Sequence, residues 1–213
     1  MTLIAENATK TIRGRTVLRK VSLKLESGTV YGFMGRNGSG KTMLFRALSG
    51  LISLTEGTVT WEGKTLHKDL SVLPDLGLVL ENVGLYPNLT GLENLTYLAS
   101  LRRRIGEPEL RAALTRVGLD PEDKRSYRRY SLGMKQRLAI AQAVMEAPAV
   151  IMLDEPTNGL DREGVELIRT LILEEKARGA LILLASHNTE DVRLLADEIY
   201  RIENGVVTKE ETA

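Results

Sequence analysis

The chain has 213 residues, with 29 Lys and Arg against 28 Asp and Glu and a formal net charge of +1, a balance that gives no pull towards nucleic acid or another acidic polymer. It holds no cysteine, which excludes disulfides, thiolate metal sites and cysteine nucleophiles. No stretch approaches the roughly 18 apolar residues of a membrane span, and the opening MTLIAENATK lacks the apolar core of a signal peptide.

The N-terminal part reads as β-rich: TLIAENATK, TVLRKVSLKLESG and GTVTWEG alternate between apolar and polar and are bounded by glycine turns. VYGFMG is a short buried strand that runs into a glycine-rich loop, and KTMLFRALSGL has helical spacing up to Gly50. DLGLVLE is a further apolar strand. From Gly91 the character changes, and GLENLTYLASLRRR and EPELRAALTRVGL predict amphipathic helices. The pattern then predicts a helix over 131–147, a strand over 149–153, a helix over 161–178, a strand over 180–185 and a helix over 188–196. EIYRIENGVVTKE closes the chain as a hairpin turning at Asn204-Gly205. The expectation is one folding unit over 1–213: an α/β core of about 1–90 and 131–213, with a helical subdomain of about 91–130 inserted into it.

GRNGSGKT matches the glycine-rich phosphate loop at every fixed position, with a strand before it and a helix after it. Gly35, Arg36, Asn37, Gly38, Ser39 and Gly40 let backbone amides point at phosphate oxygens. Lys41 supplies a point charge for the β and γ phosphates, and the Thr42 hydroxyl can reach Mg²⁺. Met43 follows and completes the candidate nucleotide-binding set. A plain strand–helix junction is the alternative reading, and the flanks favour the phosphate loop. A magnesium–triphosphate site also needs a carboxylate at the end of a second buried strand. VIMLDEP provides it: Asp154 would hold the metal's water shell, and Glu155 is placed to polarise an attacking water.

YSLGMKQRLAIA begins with Ser131, a good N-cap, so the helix it starts offers free amides and a partial positive charge to an anion. Alone, the segment reads better as an ordinary cap. His187 follows the strand ALILLAS, at the carboxyl end where ligands collect in such sheets. His67 lies in the polar stretch GKTLHKDL and is assigned no role.

Together and in this order, these residues resemble the nucleotide-binding subunit of an ATP-binding-cassette transporter, over essentially the whole chain. GRNGSGKT looks like the family's Walker A motif, VIMLDEP like Walker B, YSLGM like the signature and NGLD, ending at Asp161, like the D-loop. His187 falls where the switch histidine falls. The resemblance implies an ATPase that uses ATP and Mg²⁺ and drives a separate integral-membrane permease from the inner face of the cell membrane. It implies a second cassette, identical or paralogous, packed head to tail. Ser131, Leu132, Gly133 and Met134 would then meet the partner's ATP, while Glu155 and His187 serve hydrolysis. A soluble cassette without a transport role is the alternative.

The sequence departs from the family pattern at three points. Where an aromatic usually stacks on adenine, TKTIRGR offers Ile12 and Arg13. Glu81 stands where many members carry a glutamine that senses the metal, and its carboxylate is a candidate Mg²⁺ ligand beside Thr42 and Asp154; Leu132 replaces the first glycine of the signature. These departures, with ENVGLYPNLTGLENL, resemble the exporters that protect bacteria against bacitracin-like and lantibiotic peptides. With no regulatory extension after the final hairpin in this sequence, the expectation is against the sugar-importer type with its extra C-terminal domain. The basic runs at 101–104 and 124–130 read as solvated helical faces or as contacts for a permease loop or anionic lipid.

Overall fold

The computed structural model describes residues 1–80 and 84–210. Strand β1 (Thr2–Ile12) turns at Arg13-Gly14, both at positive φ (49° and 78°), into the antiparallel β2 (Arg15–Glu26). A two-residue turn of this kind matches the twist of the strands it joins. Along β2, Leu18, Val21, Leu23 and Leu25 are buried, while Lys20, Ser22 and Lys24 face out. After β3 (Val30–Met34) and α1 (Lys41–Leu48), β4 (Glu56–Trp61) returns to pair with the free edge of β1. The two-residue β5 (Lys64–Thr65), too short to leave a pattern in the sequence, completes the antiparallel order β2-β1-β4-β5.

A second sheet joins β3 to β6 (Leu76–Val79), β7 (Val150–Asp154), β8 (Leu181–Ser186), β9 (Glu198–Glu203) and β10 (Val206–Lys209), in the order β10-β9-β3-β8-β7-β6. Its pairs are parallel except for the β9–β10 hairpin. That hairpin turns at Asn204 and Gly205, at φ 50° and 79°, as the sequence predicts. Strands β3, β7 and β8 are buried at every position, which is why they read as continuous apolar runs.

The two faces of this sheet feed two apolar cores with a period of two. On one face Val30, Ile151, Leu153, Ile182 and Leu184 pack under the helices α2 (Gly91–Arg102), α3 (Glu107–Arg116), α4 (Leu132–Val144), α5 (Arg162–Ala177) and α6 (Thr189–Leu195). On the other, Tyr31, Phe33, Met152, Leu181 and Leu183 meet α1 and the inner face of the antiparallel sheet. Phe33 stands edge-on to Phe45 at 5.7 Å and stacks on Tyr200 at 5.4 Å.

Helix α2 starts with a full capping box: Thr90 accepts from the Glu93 amide, and the Glu93 carboxylate accepts from the Thr90 amide. It ends where Arg103 turns left-handed inside the LRRR run. A single 3₁₀ turn, Tyr127–Arg129, precedes α4. Helix α4 is shorter than the predicted 131–147: Ser131 is its N-cap, and its last helical residue is Val144. Beyond it Ala147 is left-handed, in the position before Pro148 that disfavours a continuing helix.

The functional consequence is one of strand order. β3, β8 and β7 are adjacent and parallel, so the loop after β3, His187 after β8 and Asp154-Glu155 at the end of β7 emerge along one edge of the sheet. Ligands collect at the carboxyl ends of such strands.

Candidate nucleotide site

The loop from Gly35 to Gly40 leaves β3 and opens α1, whose first turn holds no acidic residue. Two of its glycines are required by geometry. A Cβ on Gly35 would lie 2.5 Å from both the Ile202 carbonyl oxygen and Ser39 Oγ. Gly40, the N-cap, sits at φ 118°, a conformation that L side chains rarely adopt. The start of α1 therefore faces the cleft with free amides and the positive end of its dipole.

Lys41 is 6% exposed, and its ammonium group donates to the Gly35 carbonyl at 2.7 Å and lies 3.4 Å from Glu155 Oε1. The Thr42 hydroxyl is hydrogen-bonded to Asp154 Oδ2 at the end of β7. A hydroxyl and a carboxylate side by side are hard oxygen donors, and two such groups suit Mg²⁺, which keeps waters and takes phosphate oxygens for the rest of its shell. Ser39 Oγ is buried with no partner among the described residues, a hydroxyl suited to a phosphate oxygen.

Glu155 takes φ 52°, rare for a residue with a side chain. Its amide is anchored to the Ala185 carbonyl at 2.8 Å. Its carboxylate accepts from Ser186 Oγ at 3.1 Å and from the His187 amide at 3.1 Å, and it lies 2.8 Å from His187 Nδ1. The half-exposed His187 is thus bound to the residue predicted to polarise water.

A cleft of about 600 Å³ runs along the loop, lined by Asn37 to Met43, Asp154 and Glu155 on one side. Its opposite wall is Arg15, Thr16, Val17 and Arg19, with Arg46 nearby. The sequence reading missed these arginines, scattered across β2 and α1; they surround the loop with positive charge, which suits a polyphosphate. Ile12, at the end of β1, is 39% exposed and is not part of this lining. Arg36 and His187 instead border a second cleft of about 620 Å³ against the other side of the loop. Glu81 lies outside the described residues.

Ser131, Leu132, Gly133 and Met134 line neither cleft. Ser131 is exposed and its Oγ accepts from the Met134 amide at 3.2 Å. Leu132, 70% exposed, rests on Gly159: a Cβ there would come within 2.7 Å of Leu132 Cδ2. Asp161 caps α5 by accepting from the Gly164 amide at 3.0 Å.

A phosphate loop, a strand-end aspartate on its threonine, and a glutamate bound to a histidine define a phosphate-loop nucleotide hydrolase. The family model for ABC transporters matches residues 18–158. The ABC transporter ATP-binding protein YybJ of Bacillus subtilis (strain 168) is 45% identical over 199 residues, covering 93% of this chain and 91% of that protein. The bacitracin transport ATP-binding protein BcrA of Enterococcus faecalis is 39% identical over 207 residues, covering 96% and 67%. The dimeric structure of MJ0796, a bacterial ABC transporter cassette, superposes with a TM-score of 0.87 at 25% identity, covering 99% of this chain and 100% of that one. The chain belongs to the ABC transporter family, as its ATP-binding and ATP-hydrolysing subunit.

Proposed function

We propose that the chain powers a membrane exporter of an antimicrobial peptide or drug, as one of two copies docked on an integral-membrane permease at the inner face of the cell membrane. The relatives named for bacitracin and lantibiotic transport support the cargo class; the lantibiotic transport protein SrtF of Streptococcus pyogenes is 36% identical over 205 residues. Among the described residues no helix is long and apolar enough to cross a membrane; on this reading another subunit supplies the pore. The whole chain forms one cassette, with about 91–130 as its helical subdomain.

Single-chain geometry supports the pairing. The cap of α4 is exposed and lines neither cleft of its own loop, so its free amides suit a phosphate held by a second copy. Ser131 and Gly133 close on the partner's ATP there, with Leu132 and Met134 flanking them.

One observation carries the catalytic reading: Glu155 is bound to His187 and lies 3.4 Å from Lys41 at the mouth of the loop. Loop amides and Lys41 hold the phosphates. Thr42 and Asp154 would hold Mg²⁺, which neutralises charge on the phosphate oxygens. Glu155 takes a proton from water as its oxygen attacks the γ-phosphorus, and His187 keeps that water in line. The bond from the γ-phosphorus to the bridging oxygen breaks, its electron pair leaves with ADP, and phosphate departs. A ligand held between two copies drives closure only through its differential contacts with open and closed states, so hydrolysis returns the pair to the open one.

Glu155→Gln tests this. Binding of a fluorescent ATP analogue is expected to persist while turnover falls by at least about a hundredfold. Wild-type turnover would remove Glu155 from its role.

A further inference from the structure

Behind the Glu155–His187 pair lies a second layer of polar contacts centred on Asp191 of α6, a carboxylate only 1% exposed. Its Oδ2 accepts from the Thr157 hydroxyl at 2.6 Å and from Asn188 Nδ2 at 3.1 Å. Its Oδ1 accepts from Arg169 Nε at 2.9 Å and from Nη2 of the same guanidinium. Arg169 reaches over from α5, where its Nη1 also donates to Glu166 at 2.7 Å. Glu190 lies 3.7 Å from that guanidinium.

The partners of the two carboxylate oxygens differ in kind. Oδ1 is neutralised by Arg169, which offsets the cost of burying the charge. Oδ2 joins two backbone segments: Thr157 stands two residues beyond Glu155, and Asn188 directly follows His187. Neither bond is required for charge balance. Both satisfy the lone pairs of a buried oxygen, and both come from the two turns that carry Glu155 and His187.

We propose that Asp191 is a positioning residue, whose Oδ2 holds the turn carrying Glu155 in register with the turn carrying His187. The proposal rests on the roles given above to Glu155 and His187. Their direct contact sets the distance between the two side chains, and Asp191 sets the backbones from which they project. Small misplacements of reacting groups cost large rate factors.

Thr157→Val deletes one arm of the bridge and leaves the Arg169–Asp191 pair intact. On the complete chain with Mg·ATP, well below the melting transition, kcat is expected to fall on the order of tenfold, with the KM for ATP little changed and the melting temperature lower by only a few degrees from the lost hydrogen bond. Thr157→Ser, which restores the hydroxyl, recovers most of the rate. Asp191→Asn also lowers kcat, and the double variant loses no more than Asp191→Asn alone, because the two changes break one bridge. A wild-type kcat in Thr157→Val overturns the proposal. So does a loss that follows KM or melting temperature and that serine does not rescue. Glu155→Gln is assayed alongside. If it turns over normally, the catalytic assignment has failed; if it is inactive while Thr157→Val is fully active, only the positioning role has failed.

Discussion

Gln136 donates its side-chain amide to the Glu155 carbonyl at 3.1 Å and to the Pro156 carbonyl at 3.2 Å. It stands on α4, the helix that Ser131 caps. On the proposed pairing, the helix that would face a partner's phosphate is therefore tied directly to the peptide that carries Glu155, the proposed hydrolytic glutamate. These two hydrogen bonds give any movement of α4 a route to Glu155. Gln136→Met keeps the length of the side chain and removes both donors. Turnover is expected to fall several-fold, with a stability loss of about 1 kcal/mol, since the Pro156 carbonyl loses its donor while the Glu155 carbonyl keeps the Asn158 amide at 3.2 Å. Steady-state kinetics and thermal melting check this, and unchanged kcat would mean that α4 does not act on Glu155 by this route.

Gly77 shows how closely α4 sits on the sheet. A Cβ on this β6 residue would lie 1.9 Å from the Ala143 carbonyl oxygen and 2.9 Å from Pro148 Cγ. The close approach is backbone to backbone, so no side chain can rotate away. Gly77→Ala is expected to cost about 2–3 kcal/mol, or roughly 4–12 °C of melting temperature for a chain of this size. A variant that melts with the wild type would show that α4 can lift off β6 without cost.

Asp197 contributes pH-dependent stability. Burial pushes its carboxyl up, but the Lys176 ammonium at 2.5 Å and the Val30 amide at 2.9 Å outweigh that and hold it below the ordinary 3.8. A depressed carboxylate stabilises the fold above its unfolded pKa, and that contribution fades as pH falls through the folded value. Asp197→Asn should therefore be less stable than the wild type near neutrality, with the gap narrowing below pH 3.8. Urea unfolding at neutral and acid pH measures the gap, and a pH-independent difference would assign it to packing instead.

Much of this fold is legible in the amino-acid pattern because local and tertiary demands agree. VYGFM, VIMLD and LILLAS are apolar throughout and become the fully buried β3, β7 and β8. The loop and the two carboxylates follow from motif and spacing, since each stands at a strand end. What the pattern hides depends on contacts between distant segments. The Arg15, Arg19 and Arg46 wall forms only when β2 and α1 are placed beside the loop. Asp191 reads as an exposed first-turn acid until α5 and the Thr157 turn cover it. Ile12 occupies the expected place in sequence, yet the β1–β2 turn leaves it outside the cleft lining.

On the proposed pairing, one chain's triphosphate is completed by the cap of another chain's α4. Light scattering of the Glu155→Gln chain, with and without Mg·ATP, measures it most directly. The mass of two chains is expected with nucleotide, and of one chain without it or when Ser131→Arg is added. A nucleotide-loaded chain that remains single, or a pair indifferent to Ser131→Arg, would contradict it.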